Sequence, residues 1–203
     1  MPDLFKRCIE SQETPGYSRR VITLDNCYRG SRYVNEALEA AERTGSVKFL
    51  VKAADWLRFW HVHDEGGIFL DADFEMAPGK DFNDLTDARI FTVFEKPWKD
   101  TCNGVFGAEK GHPLLKEYLD KIESNFHGGG SMVLRPGIQA WNDRVWLAHH
   151  DNRMEELGLR FCQPEEFFPV KGADGKFIIT PQTRAIHHGV RSWCVGDSRD
   201  AII

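Results

Sequence analysis

Between Lys48 and Asp64 the apolar residues Leu50, Ala53, Ala54, Leu57 and Trp60 recur at helical spacing, which predicts a helix with one face for a core. Gly66-Gly67 ends that helix, and Ile68-Phe69-Leu70 reads as a short buried strand delivering Asp71 at its C-terminal end. Upstream, Pro15-Gly16-Tyr17 signals a turn, and Val21-Ile22-Thr23-Leu24 reads as a buried strand that stops at Asp25-Asn26. Tyr33 to Arg43 is rich in helix formers and is closed by Thr44-Gly45. Downstream, Ile90 to Phe94 and Asn103 to Ala108 predict strands, and Pro113 to Phe126 and Ile138 to His150 predict helices. The glycines of the second of these strands mark a close approach to its backbone. Strands alternating with helices imply an α/β fold with a mostly parallel central sheet flanked by helices, where ligands bind beyond the carboxyl ends of the strands. Asp71 sits at one such end.

Composition narrows this picture only slightly. A chain of 203 residues, 41% hydrophobic and 28% charged, suits a single domain over 1–203 with a continuous core. The formal net charge of -5 argues against nucleic-acid binding, which needs a positive field. Anionic substrates would then need a local cation, and a bound metal supplies one. No stretch of about 18 apolar residues is present, and the N-terminus lacks the apolar core of a signal peptide, so the expected location is cytoplasmic, with any membrane association peripheral. Five scattered cysteines without a C-x-x-C pair read as buried free thiols.

The candidate chemistry centres on Asp71-Ala72-Asp73. Two carboxylates separated by one small residue at the end of an apolar strand offer hard oxygen ligands for Mg²⁺ or Mn²⁺ bridging to substrate phosphates. By itself a D-x-D triplet arises about once by chance in a chain this rich in aspartate, and a solvated loop is its bland reading. Upstream, Asp55 and Arg58 stand at i and i+3 on the predicted helix, so they point the same way and can touch one substrate group together. An exposed ion pair worth a few tenths of a kcal/mol is the bland reading of that spacing.

Taken as a whole, Asp55-x-x-Arg58, a helix, Gly66-Gly67-x-x-x-Asp71-x-Asp73 resembles the sugar-binding region of the DXD-containing glycosyltransferases that include yeast initiating mannosyltransferases and bacterial capsular polysaccharide enzymes, with a more distant similarity to clostridial toxin glucosyltransferase domains. The resemblance implies a GT-A-like fold and a retaining, metal-dependent transfer of a sugar from a UDP- or GDP-sugar donor to a glycan, lipid-linked or protein acceptor, as in polysaccharide biosynthesis. It implies that Asp55, Arg58 and Gly67 belong to the donor-binding region, that Asp71 lies near the sugar and ribose, and that Asp73 is the main ligand of Mn²⁺ or Mg²⁺. The stretch His187-His188-Gly-Val-Arg-Ser192-Trp193 resembles the closing element of the same family. That resemblance implies that His187 completes the metal site, with His188 the second choice, and that Ser192 and Trp193 close over the diphosphate. Asn103-Gly104 resembles the strand beside the donor sugar in related transferases, which makes Asn103 a candidate for a sugar hydroxyl. The resemblance also implies a first strand ahead of these elements, and the expectation from Met1-Pro2-Asp3-Leu4 is that these 203 residues do not include it.

Two other classes share part of this signal. A haloacid dehalogenase-type phosphatase also places D-x-D after a strand, but its motif continues with Gly and then Thr or Val, where this chain has Phe74-Glu75. A non-catalytic sugar-nucleotide-binding module would keep the donor contacts without transfer.

Overall fold

The computed structural model describes residues 3–96, 99–127 and 137–190. Helix α1 (Asp3–Ser11) opens the chain, followed by α2 (Arg32–Thr44) and α3 (Val47–Glu65). Strands β1 (Gly67–Leu70) and β2 (Phe74–Met76) flank the D-A-D turn, and β3 (Ile90–Lys96) and β4 (Asp100–Ala108) follow. Helices α4 (Pro113–His127), α5 (Ile138–His150) and α6 (Met154–Leu157) precede β5 (Leu159–Cys162), short helix α7 (Pro164–Phe167) and β6 (Ala185–His187). Each long helix foreseen from periodicity is present.

The central sheet has the order β1-β4-β3-β5. Strands β1 and β4 pair antiparallel, as do β3 and β4, whereas β3 and β5 are parallel. The expected mostly parallel sheet is therefore corrected to a mixed sheet in which antiparallel pairing dominates. Its cause is local: only residues 97 to 99 separate β3 from β4, too short for the crossover that parallel neighbours require. Strands β1, β3 and β5 still run in one direction, so the carboxyl-end argument survives for β1. A separate two-stranded ribbon joins β2 to β6, with Phe74 opposite His187.

The segment 21–24 forms no strand, which corrects the second expectation. Val21 and Leu24 are 51% and 41% exposed, and only Ile22 packs against the core. Asn26 explains this, because its side chain donates to Val21 O and accepts from Thr23 N, folding the run into a turn.

Two apolar clusters sandwich the sheet. On one face Phe59, Phe106, Tyr118 and Trp141 pack with residues of α2, α3, α4 and α5. On the other, Phe91, Val93 and Val105 meet Phe74, Leu85 and Phe167. Burial on both faces accounts for the nearly unbroken apolar run in β3. The polar exception, Thr92, is buried and accepts a hydrogen bond from Trp141 Nε1 at 3.1 Å. Helix α3 stops at Gly66, whose φ of 75° and 2.9 Å approach of a would-be Cβ to Lys110 N exclude other residues. Among the described residues no helix is long and apolar enough to cross a membrane. Cys8, Cys27, Cys102 and Cys162 are buried free thiols, as expected for those four; Cys194 lies outside the described residues.

Candidate functional site

The site is assembled where β1 ends. Asp71 N donates to Gly104 O at 2.8 Å, extending the β1–β4 ladder by one residue and setting the D-A-D turn against Asn103-Gly104. From α3, Arg58 reaches across this junction. Its guanidinium contacts Asp55 at 3.2 Å and Asp71 at 3.2 Å, and donates to Asn103 O at 3.0 Å. Asn103 Nδ2 in turn donates to Asp55 Oδ1 at 3.0 Å. Four residues named from the sequence thus form one hydrogen-bonded cluster, with Arg58 also lying over the Phe69 ring at 4.8 Å.

Two glycines make room for it. A Cβ on Gly104 would stand 2.5 Å from Asp71 Oδ2, and one on Gly137 would stand 2.6 Å from Asp55 Oδ2. The close approach anticipated in β4 is therefore that of the Asp71 carboxylate. Gly137 also has φ 119°, a left-handed-side conformation that a side chain would strain. Its N–H donates to the buried Tyr118 hydroxyl at 3.0 Å.

The electrostatics follow from burial. The side chains of Arg58 and Asp55 are 11% and 15% exposed, while Asp71 is 34% exposed and forms the open edge of the cluster. Burial pushes the Asp55 carboxyl up to about 6 against the pull of Arg58, with the Asp71 charge adding to the rise. Asp71 is likewise raised, first by burial and then by Asp73, with Arg58 opposing. For Arg58 burial works against the charge, but Asp71 and Asp55 together outweigh it and hold the guanidinium firmly protonated. Asp55 is thus raised from an unfolded value near 4, so its stabilising protonated form is complete below that value and lost as pH rises through about 6. Asp55→Asn keeps an oxygen acceptor for Arg58 and Asn103 without the charge. We expect its stability relative to the unmodified chain to rise by roughly 2–3 kcal/mol between pH 4 and pH 7. Urea midpoints across that range measure it, and parallel curves would exclude Asp55 as the titrating group.

The second half of the site lies on the β2–β6 ribbon. His187 Nε2 stands 3.4 Å from Asp73 Oδ1, and its ring stacks on Phe74 with centroids 4.4 Å apart. Val190 N donates to Asp73 Oδ2 at 3.0 Å, and His188 N to Asp73 O at 3.0 Å. Burial works against the Asp73 charge, but the His187 contact and the Val190 N–H outweigh it and hold the carboxyl below its usual range. Of the proposed metal ligands, Asp73 and His187 face each other and Asp71 faces Arg58. Gly67 lies at the far end of β1, about 13 Å along the strand from Asp71, and nothing stands within 4 Å of a would-be Cβ there. Gly67 is therefore not gathered into the cluster. Ser192 and Trp193 lie outside the described residues.

Three participants escaped the sequence reading. Gln12, just after α1, donates to Asp71 O at 3.2 Å and to Phe74 O at 2.9 Å, bracing the D-A-D turn from beneath. Glu95 is the penultimate residue of β3; burial raises its carboxyl, opposed by the nearby His187 and a hydrogen bond with Cys102. An acid directly after the mostly apolar run Ile90 to Phe94 was the available signal. Glu75 accepts from Arg7 at 3.1 Å and lies 2.8 Å from His188 Nε2.

No protein-family model matches this chain, and no curated protein matches it. Among solved structures it is similar to the PaToxG glycosyltransferase at 18% identity and a TM-score of 0.41, over 64% of this chain and 51% of that one. The chain thus spans about half the length of that structure.

Proposed function

We propose that this chain is a metal-dependent glycosyltransferase that moves a sugar from a UDP- or GDP-sugar to a hydroxyl acceptor with retention. The observation that carries the reading is the Asp55–Arg58–Asp71–Asn103 cluster, built at a strand end beside the Asp73–His187 pair. A buried guanidinium pinned by two carboxylates holds a fixed geometry, and the spare lone pairs of Asp55 and Asp71 suit sugar hydroxyls. The more exposed Asp71 is the edge at which a ligand meets the cluster. Fixing the sugar in this way supplies orientation, the main contribution these residues can make.

The donor set of Asp73 and His187, a hard carboxylate beside an imidazole, suits Mn²⁺ better than Mg²⁺. A cation held there would neutralise charge on the departing nucleoside diphosphate. Arg58, already committed to Asp55 and Asp71, serves positioning rather than the leaving group.

The test is a thermal-shift screen of UDP- and GDP-sugars with Mn²⁺, followed by donor hydrolysis with and without EDTA. A shift of several degrees with one donor class and turnover abolished by EDTA are expected. Binding without turnover under any condition would make the chain a sugar-nucleotide-binding module. Hydrolysis of p-nitrophenyl phosphate with no response to any nucleotide-sugar would return the D-x-D to a phosphatase.

A further inference from the structure

Cys8, Glu75 and His188 come from three distant parts of the chain, and their ligand atoms lie within 4.8 Å of one another. Cys8 is fully buried on α1, Glu75 is the middle residue of β2 and His188 follows β6. Backbone anchors independent of the three side chains hold these elements together. Met76 N donates to Ser11 Oγ at 2.9 Å, Gln12 holds Phe74 O at 2.9 Å, and His188 N donates to Asp73 O at 3.0 Å. The His188 ring is further packed edge-on by Phe177 with centroids 5.6 Å apart.

We propose that Cys8, Glu75 and His188 form a binding site for Zn²⁺, distinct from the Asp73–His187 pair and independent of the glycosyl-transfer reading. One thiolate, one imidazole and one carboxylate make a borderline-soft set that suits zinc and disfavours Mg²⁺ and Mn²⁺. Zinc bonds of about 2.0–2.3 Å place tetrahedral ligand atoms about 3.5 Å apart, so the cluster needs shifts of only about 1 Å. His188 Nε2 and Glu75 Oε2, now 2.8 Å apart across a proton, would open around the ion. Arg7, which reaches the same oxygen at 3.1 Å, has a side chain 60% exposed and can turn to solvent. Without an ion, burial first and the Glu75 charge second push the Cys8 thiol up to about 11, and a divalent cation would reverse both effects. Zinc here would tie α1 to the β2–β6 ribbon and so fix the strand that carries His187.

Cobalt reports the site directly. The chelator-stripped full chain is titrated with Co²⁺, and thiolate-to-cobalt charge-transfer absorption is expected to saturate at one ion per chain and to be displaced by Zn²⁺. Cys8→Ser is expected to remove the band and to lower Zn²⁺ affinity at least about tenfold. In a thermal melt Zn²⁺ should raise the midpoint of the unmodified chain and leave that of Cys8→Ser unmoved. The unmodified chain giving no charge-transfer band, or a band that survives Cys8→Ser, would overturn the assignment without touching the donor-binding proposal.

Discussion

Arg58→Ala is expected to destabilise the chain by about 3–5 kcal/mol, the cost of leaving a buried charge without its partner. Asp55, 15% exposed, would keep only Asn103 as a hydrogen-bond donor in this cluster, while the more open Asp71 can turn to water. The deficit should depend on pH with a definite sign. Removing the guanidinium deletes the largest influence that lowers Asp55, so the folded carboxyl rises beyond its present value of about 6. A folded-state value above the unfolded one gives stability that is intact below the unfolded value of about 4 and lost as pH climbs through the folded one. Urea unfolding near pH 4 should therefore reveal a small deficit and near pH 8 the full one. A deficit equal at both would mean that lost packing over Phe69, not the charge, dominates.

Asp73→Asn should cut metal-dependent donor hydrolysis by at least about a hundredfold, because the carboxylate is the one hard anionic ligand of the proposed pair. The fold should tolerate the change. An asparagine oxygen can still accept from Val190 N, although the neutral amide forgoes part of the His187 contact that now holds the carboxyl below its usual range. Steady-state rates across a Mn²⁺ titration separate the alternatives. Activity recovered at high Mn²⁺ indicates weakened metal affinity, activity lost at every concentration a misplaced cation, and undiminished turnover removes Asp73 from the mechanism.

Legibility in the sequence followed the range of each interaction. Helix α3, its stop at Gly66 and the carboxylates after β1 are written in consecutive residues, and so was the shared face of Asp55 and Arg58. The approach of Asn103 to Asp55 was foreseen only as far as the glycine beside it. Sheet direction failed because helix–strand alternation was extended across a connection too short for a crossover. The segment 21–24 failed because an Asn side chain captured its backbone before a sheet could. Nothing local announces Cys8, Glu75 and His188 as a group, since β2, β6 and α1 meet only in three dimensions.

The reversed strand β4 has a mechanical consequence. It lies inside the sheet, bonded on both sides, and carries Asn103 and Gly104, so the wall that meets Asp55, Arg58 and Asp71 opens only with the sheet itself. Asp73 and His187 belong to the β2–β6 ribbon, which shares no ladder with that sheet and meets it through the buried Phe74, Met76 and Ala185. The Asn103 side of the site is therefore an anvil that belongs to the sheet, and the Asp73–His187 side a separate plate seated on it by apolar packing.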